Sequence, residues 1–218
     1  YDHSFSTLAP TTDQNYIRTW TAPGAPAFSI SFNQPVTKDS VAAHIYYEDA
    51  TKTRIAVKVE PREGDDTPPV NKNGAEARYE WVLTPVAELP LNTAVTLKEE
   101  PGLVSADGDK AGTESRELKQ FYTFPALSLR GVVCRDRNNE EVLVTPGSPQ
   151  TDTQLCNPLA PIALSFTAPV MRTMLKDNLL FSPDLTGGKK DVNPWGEIND
   201  WSRLSDDRSR QDADYRVS

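Results

Sequence analysis

The chain has 218 residues, 37% of them hydrophobic, with a formal net charge of −8 and a sequence pI near 4.9. This length accommodates one large domain or two ordinary ones. An acidic chain without a basic cluster is a poor partner for nucleic acid or anionic lipid. No apolar run approaches the ~18 residues that span a bilayer.

The first half of the chain reads as short strands joined by turns, in keeping with 18 prolines against 11 glycines. Apolar alternation predicts strands at 17–20, 27–36, 44–47, 54–60, 78–84, 93–98 and 121–124. Residues 1–16 predict an irregular lead-in, 61–77 a long polar loop and 105–109 a tight turn. Residues 37–40 supply N-cap side chains for one helical turn that carries Val41. Short strands at this spacing predict an immunoglobulin-like β-sandwich.

The organising feature of the sequence is a repeat. The run 27–36 alternates large apolar with small residues and closes on Pro-Val, and the run 161–170 does the same. Phe32 and Phe166 are 134 positions apart (166 − 32), and this offset also aligns Val41 with Leu175, Ile45 with Leu179 and Tyr47 with Phe181. A register kept over roughly twenty positions indicates two copies of one module.

We therefore expect an all-β chain of two tandem immunoglobulin-like β-sandwich modules, residues 1–125 and 126–218. The second copy opens with 127–134 and has a further predicted strand at 179–182. Its last residues, 215–218, align with 79–82 at an offset of 136 (215 − 79). About two strands of the first module have no counterpart by that point. We therefore expect the second module to be truncated at its C-terminal end and the chain to be a piece of a longer protein.

Two cysteines, Cys134 and Cys156, are the only ones in the chain. An even count in a β-rich, proline-rich sequence suits an oxidising compartment, and we expect the two to form a disulfide. The alternative is a pair of buried free thiols in a cytosolic protein. A zinc site is a weaker hypothesis, because His3 and His44 are the only histidines that could join the two cysteines as ligands.

Catalytic motifs are not apparent. The chain has two histidines, no G-x-S-x-G, no H-E-x-x-H and no glycine-rich phosphate loop. It therefore lacks the motifs of the common hydrolases and nucleotide-binding proteins. Carboxylate pairs remain open, since acidic residues are abundant. His44 is expected at the edge of a strand. We expect no enzyme, no catalytic residue and no cofactor.

Acidic turns and tryptophans are the remaining ligand candidates. The turns 107–109 and 64–66 carry clustered aspartates compatible with calcium, but neither has EF-hand spacing and a hairpin turn explains both. Tyr79, Trp81 and Leu83 alternate along one strand, which places Trp81 on the buried face and predicts that it is a core residue. Trp195 and Trp201 lie in a polar tail, where exposed rings could bind sugar or a partner.

The motif F-x-x-P-V at 32–36 and 166–170, the turn 89–93 and the closing 121–124 resemble the bacterial immunoglobulin-like modules of S-layer and other surface proteins. Tandem modules with this strand also resemble the N-terminal region of bacterial alpha-2-macroglobulins, which trap proteases outside the cytoplasm. That resemblance implies a structural scaffold in the periplasm or outside the cell. Its implied partners are neighbouring domains of a longer parent chain and, through the parent, target proteases.

The thioester motif of that family, Cys-x-x-Gln, is absent, since Cys134 is followed by Arg-Asp-Arg and Cys156 by Asn-Pro-Leu. The resemblance therefore implies no covalent chemistry for this segment. A second hypothesis is an adhesin-like or carbohydrate-binding surface module, which exposed aromatic residues on one sheet face would favour. An enzyme ranks third, because sandwich folds also host carboxylate sites.

Overall fold

The computed structural model describes residues 9–62, 64, 70–72, 75–106, 108, 110–149, 155–170, 175, 178–180, 188–189 and 215–217. The chain is mostly β, with one short helix among these residues. In chain order the elements are β1 (Thr12–Ala22), β2 (Ala25–Thr37), α1 (Lys38–His44), β3 (Ile45–Asp49), β4 (Arg54–Glu60), β5 (Val70–Lys72), β6 (Ala75–Pro85), β7 (Ala94–Glu99), β8 (Arg116–Tyr122), β9 (Leu129–Arg135), β10 (Glu141–Val144), β11 (Ala163–Phe166) and β12 (Tyr215–Val217).

The chain divides into two compact units, with the change between Phe124 and Pro125. Unit 1 contains β1 to β8 and α1, and unit 2 contains β9 to β12. The strands of unit 1 follow the order β1-β2-β6-β4-β3-β7-β8, with β5 on β6, and those of unit 2 the order β10-β9-β11-β12. The pairings between these strands are all antiparallel, which suits strands joined by short turns.

Strand β4 connects the two halves of the unit 1 sheet. Residues 54–56 of β4 pair with β3, whereas residues 57–60 pair with β6. The sheet is thereby divided into a layer β1-β2-β6-β4 and a layer β3-β7-β8. Aromatic rings from both layers meet between them: the ring centroid of Phe28 lies 5.2 Å from that of Phe121 and 6.0 Å from that of Tyr47.

The buried residues of unit 1 follow the alternation in the sequence. The inward positions of β2, β4, β6 and β7 are nearly or fully buried: Phe28, Ile30, Phe32, Val57, Val59, Trp81, Leu83, Val95 and Leu97. The Trp81 indole N–H donates to the carbonyl oxygen of Val36 at 2.9 Å, so its polar atom has a partner in the core. Trp20 packs edge-on against Phe124, with ring centroids 4.6 Å apart.

Helix α1 forms where the N-cap residues predicted it. Thr37 has extended backbone angles and its hydroxyl accepts from the backbone N–H of Ser40 at 3.3 Å. Val41 is fully buried, as expected. His44, however, ends the helix and does not lie at a strand edge, because the strand begins only at Ile45.

Several strand predictions were wrong in detail. The strand predicted at 121–124 is β8, at Arg116–Tyr122, and residues 179 and 180 of the strand predicted at 179–182 are not in a strand. Strand β1 spans Thr12–Ala22 and is longer than the predicted 17–20. The supposed loop 61–77 contains β5, which pairs with the start of β6. Tyr79 shares the inward parity of Trp81 yet is 54% exposed. The cause is a register shift: Ser31 pairs with Glu80 but Val36 with Arg78, so Tyr79 lies opposite four residues of β2 that bulge away.

The repeat extends to the pairing of individual residues. In unit 1, Ser29, Ile30 and Ser31 of β2 pair with Tyr16, Asn15 and Gln14 of β1; in unit 2, Ala163, Leu164 and Ser165 of β11 pair with Val133, Val132 and Gly131 of β9. The inner strands are offset by 134 (164 − 30) and the outer strands by 117 (132 − 15). Phe32 and Phe166 both follow a bulge that skips one residue of the outer strand. The two units therefore share one register.

The polar residue after each of these phenylalanines explains part of the F-x-x-P-V motif. The Thr11 N–H donates to Asn33 Oδ1 at 2.8 Å, and the Asn33 N–H donates back to the Thr11 carbonyl. In unit 2 the Ser128 N–H donates to Thr167 Oγ1 at 2.8 Å, and the Thr167 N–H donates back to Ser128. A side-chain acceptor at this place anchors the incoming chain beside the inner strand.

Two further contacts recur in the same frame. Leu164 and Ser165 pair with Val217 and Arg216 of β12, as Ile30 and Ser31 pair with Trp81 and Glu80 of β6. The Leu179 N–H donates to the Leu175 carbonyl at 2.8 Å, as the Ile45 N–H does to Val41 at the end of α1. The described part of unit 2 is thus a one-sheet copy of β1, β2 and β6 with the beginning of the turn that follows β2.

The two units differ in the connection between their first two equivalent strands, which are β1 and β2 in unit 1 and β9 and β11 in unit 2. The offsets of 134 and 117 leave 17 additional residues (134 − 117) between β9 and β11. In unit 1 the connection from β1 to β2 is the tight turn at 23–24. In unit 2 the added residues include β10, which pairs with the free side of β9, and a connection that returns to β11.

Candidate functional site

The structure describes some of the predicted ligand residues and not others. Among the described residues no group of three or more His, Cys, Asp or Glu side chains is arranged to hold a metal ion. Trp20 and Trp81 are core residues. Other candidates lie outside the described residues, and the calcium and sugar hypotheses stay predictions there: His3, Asp65, Asp66, Asp107, Asp109, Trp195 and Trp201.

The feature that sets unit 2 apart is the disulfide between Cys134 and Cys156. The two sulfur atoms are 2.01 Å apart and the Cα atoms 5.5 Å apart, with a sequence separation of 22. Cys134 is the buried penultimate residue of β9, and Cys156 lies in the connection from β10 to β11. The expected pairing is therefore present, and it closes the insertion that unit 1 lacks.

The chain beyond Cys156 is held in a tight turn against β9. The Asn157 N–H donates to the carbonyl of Arg135 at 2.7 Å, and the Asn157 side-chain oxygen accepts from the Leu159 N–H at 3.0 Å. The Ala160 N–H closes the turn onto the Asn157 carbonyl. This turn places Leu159 in solvent, 93% exposed. The turn is thus a surface feature fixed by hydrogen bonds of its own backbone and of Asn157.

Two hairpin loops use one aspartate each in the same way. Asp49 Oδ1 accepts from the backbone N–H groups of Thr51 and Thr53, at 2.8 and 2.9 Å, and from the Thr51 hydroxyl. These hydrogen bonds, that of the Thr51 hydroxyl first, lower the pKa of Asp49. Asp136 Oδ1 likewise accepts from Asn138 and Glu140, both at 2.8 Å.

The residue two positions before the return strand of each loop is left-handed: Lys52 has φ 68° and Asn139 has φ 66°. The carboxylates therefore serve their own loops, which an Asx turn explains without a ligand. This shared loop was not predicted from the sequence. The signal available to it was an aspartate followed two residues later by a threonine or asparagine between two alternating runs.

A buried carboxyl group connects the first strand to the second layer of unit 1. The Thr12 hydroxyl donates to Glu99 Oε2 at 2.7 Å, and both residues are buried. Arg116 Nη1 donates to the Thr12 carbonyl at 3.3 Å. Burial raises the pKa of Glu99, and the hydrogen bond from Thr12 and the charge of Arg116 only partly oppose it.

We expect Glu99→Gln to raise the melting temperature of unit 1 by a few degrees at pH 7.5, with a smaller gain at pH 4. The folded state holds the Glu99 proton more tightly than the unfolded state does. Its contribution to stability is therefore present in acid and is lost as the pH rises through the raised pKa. Calorimetry over this pH range measures the effect. Asp13→Asn, which removes one exposed charge from strand β1 next to Thr12, should give no such gain.

Replacing both Cys134 and Cys156 by alanine is expected to lower the free energy of unfolding of unit 2 by about 3 kcal/mol, as the chain-entropy model gives for a closed loop of this size. Unit 1 should be unaffected, because it contains no cysteine. Denaturant unfolding with probes in each unit separates the two transitions. A double variant that unfolds like the parent chain would show that the bond constrains nothing.

Within the part of the chain that the structure describes, no helix has the length and apolarity to cross a membrane. No protein-family model and no curated protein sequence matches the chain. A solved structure of the N-terminal part of the bacterial S-layer protein SbsC aligns with 73% of this chain and 40% of its own, at 15% identity and a TM-score of 0.33. The chain thus spans less than half of that structure, and these values assign it to no family.

Proposed function

We propose that this chain is a non-catalytic structural segment of a large bacterial envelope protein, built from two tandem immunoglobulin-like modules. The observation that carries the proposal is the recurrence of one strand register, with its bulge and its side-chain anchor, in both units. A packed module that is repeated without a shared reactive group is typical of a spacer or a scaffold.

The module type rests on the strand pairing of unit 1. Its layers β1-β2-β6-β4 and β3-β7-β8 correspond in order to the two sheets of a seven-stranded constant-type immunoglobulin domain. Strand β4 pairs with both layers, as a strand at the edge of such a sandwich can. Unit 2 is proposed to be a second module of this type, of which the described residues form one sheet.

An extracytoplasmic location is proposed from the Cys134–Cys156 disulfide, since such bonds persist in oxidising compartments. Fractionation of cells that express the natural gene tests it. The protein is expected in the periplasmic or extracellular fraction, with no free thiol at these positions in denaturant. Recovery from the cytosol with two reactive thiols would contradict both the location and the role.

The particular parent that we propose is an alpha-2-macroglobulin-like protease inhibitor, with this segment in its N-terminal scaffold. The F-x-x-P-V strands support it through their resemblance to that family. We expect the parent polypeptide to slow the digestion of a protein substrate by trypsin and the 218-residue chain alone to have no effect. Inhibition by the isolated chain would place an active surface in this segment.

The alternative, an adhesin-like or carbohydrate-binding module, has less support. The exposed tyrosines of the described residues lie on three strands, Tyr16 on β1, Tyr79 on β6 and Tyr122 on β8. Strands β1 and β8 belong to different layers, so these rings do not share one sheet face. Binding of the chain to a glycan array, lost on replacing Trp195 and Trp201, would reverse this ranking.

A further inference from the structure

The first and last strands of unit 1 lie side by side. They are the two end strands of its sheet, so among the described residues β1 pairs with β2 and β8 pairs with β7. Arg116 Nη1, at the start of β8, donates to the carbonyl of Thr12, at the start of β1, at 3.3 Å. The Phe124 N–H, just after β8, donates to the carbonyl of Pro23, just after β1, at 3.0 Å. The two strands therefore run in the same direction.

Because of this direction, the chain enters and leaves unit 1 at opposite ends of these strands. It enters β1 at Thr12 and leaves at Phe124, which lies beside Pro23 at the far end of β1. A strand of 11 residues spans roughly 35 Å. A pull on the two ends of unit 1 is therefore directed along β1 and β8 and not across them.

Such a pull acts lengthwise on two antiparallel ladders. The residue pairs of β1 with β2 extend from Thr12 to Ala22, and those of β8 with β7 extend from Arg116 to Tyr122. Hydrogen bonds in an antiparallel ladder are perpendicular to the strands, so sliding one strand along the other strains all the bonds of the ladder at once. Pulling the same strands apart sideways from one end would break the bonds one after another.

The place where the chain enters unit 1 has further hydrogen bonds. The Thr11 N–H donates to Asn33 Oδ1 at 2.8 Å, and the Thr11 carbonyl accepts from the Asn33 N–H at 3.2 Å. The Thr12 hydroxyl donates to Oε2 of the buried Glu99 at 2.7 Å. Glu99 is in β7 and pairs with Arg116 of β8. The hydrogen bond from Thr12 to Glu99 therefore connects the first strand directly to the ladder that holds the last one.

The place where the chain leaves unit 1 is anchored as well. Thr123 is fully buried, and its hydroxyl donates to the Pro90 carbonyl at 2.6 Å and accepts from the Thr93 N–H at 3.0 Å. The Thr123 N–H donates to the Thr93 carbonyl at 3.0 Å, and the Asn92 N–H donates to the Phe124 carbonyl at 2.9 Å. Both points at which a pull reaches unit 1 thus have hydrogen bonds in addition to the two ladders.

We propose that unit 1 resists tension applied through the two ends of its chain, and that the β1–β2 and β7–β8 ladders and the anchors at Thr12 and Thr123 provide this resistance. The inference rests on the proposed function, because a scaffold of the cell envelope is a place where such tension arises. Forced unfolding is governed by the unfolding rate and not by the total stability. The resistance is therefore expected to depend on the direction of the pull.

Single-molecule force spectroscopy of the 218-residue chain tests this dependence. In the first arrangement the chain is held by its two terminal residues. Unfolding of unit 1 then releases the 113 residues from Thr12 to Phe124 (124 − 12 + 1), roughly 370–410 Å of extended chain. This length is more than residues 125–218 can release, so it identifies the unfolding step of unit 1.

In the second arrangement the chain is held by its first residue and by a thiol introduced with Lys38→Cys. Lys38 is exposed and lies just past the end of β2 that pairs with Thr12, so this pull peels β1 from β2. We expect unit 1 to unfold at a force at least about twofold higher in the first arrangement than in the second, because only the first strains each ladder as a whole.

Two substitutions separate resistance to force from stability. Thr12→Val removes the hydrogen bond to Glu99, and at a fixed force in the first arrangement it should raise the unfolding rate of unit 1 roughly tenfold. Val57→Ala is the control, because Val57 is buried in β4, pairs with β6 and belongs to neither ladder. It should lower the free energy of unfolding in urea, yet change the unfolding rate at that force by less than about threefold.

Equal unfolding forces in the two arrangements would overturn the proposal, and so would a Val57→Ala variant that unfolds under force as fast as Thr12→Val. The comparison of arrangements needs only one exposed substitution, so it decides the question even if Thr12→Val fails to fold. Either of these results would refute the force inference alone and leave the scaffold function intact. Recovery of the natural protein from the cytosol would instead refute the scaffold function, and with it the source of the tension.

Discussion

Replacing Trp81 by alanine is expected to lower the free energy of unfolding of unit 1 by about 4 kcal/mol, the range for removing a large aromatic side chain from a core. The side chain is 1% exposed and lies on the inner side of β6, opposite Ile30. Its removal leaves a cavity between the two layers and takes the indole donor from the Val36 carbonyl. Urea unfolding followed by far-ultraviolet circular dichroism measures the loss.

Two further variants divide this effect into its parts. Trp81→Phe keeps most of the apolar volume and loses the hydrogen bond, so it should cost about 1–2 kcal/mol. Tyr79→Ala, two residues earlier on β6, should change stability by no more than about 0.5 kcal/mol, because its ring is exposed beside the bulge of β2. If Tyr79→Ala were as costly as Trp81→Ala, the register shift that exposes Tyr79 would be wrong.

Gly131→Ala is expected to destabilise unit 2 by about 4 kcal/mol, at the upper end of single substitutions. A Cβ atom at Gly131 would lie 2.3 Å from the carbonyl oxygen of Val144, where backbone and not a flexible side chain would have to move. The residue also has φ +156°, which other residues rarely adopt. The substitution should separate β10 from β9, and hydrogen exchange of the β10 amides measures this directly.

Gly147→Ala provides the matched control for Gly131→Ala. Gly147 has φ +75°, and a Cβ atom there would meet nothing within 4 Å, so only the backbone preference is lost. We expect a cost of about 1 kcal/mol. Equal losses for the two variants would mean that the contact with Val144 is not what requires glycine at position 131.

The sequence predicted the parts of unit 1 that follow a regular period. Strands β2, β4 and β7 and helix α1 were expected from apolar alternation and from the N-cap Thr37, and their inward residues are buried. The repeat was read from one aligned run, and its offset recurs in the residue pairs of β11. These features are local, so a linear pattern contains them.

The errors arose where tertiary contacts override the pattern. The first half of β1, with Asp13, Gln14 and Asn15, has no apolar alternation and is held as a strand by its pairing with β2. The exposure of Tyr79 follows from a bulge in a different strand.

The insertion in unit 2 has a consequence for how neighbouring copies fold. Two modules with the same register offer a newly made strand two docking places, and exchange between them is the characteristic misfolding hazard of tandem repeats. Gln14 of β1 is equivalent to Gly131 of β9. If β1 took the place of β9 beside β10, the Gln14 side chain would clash with the Val144 carbonyl. Gly131 and β10 together therefore distinguish β9 from β1. We expect them to favour the pairing of each of these strands with the inner strand of its own unit during synthesis.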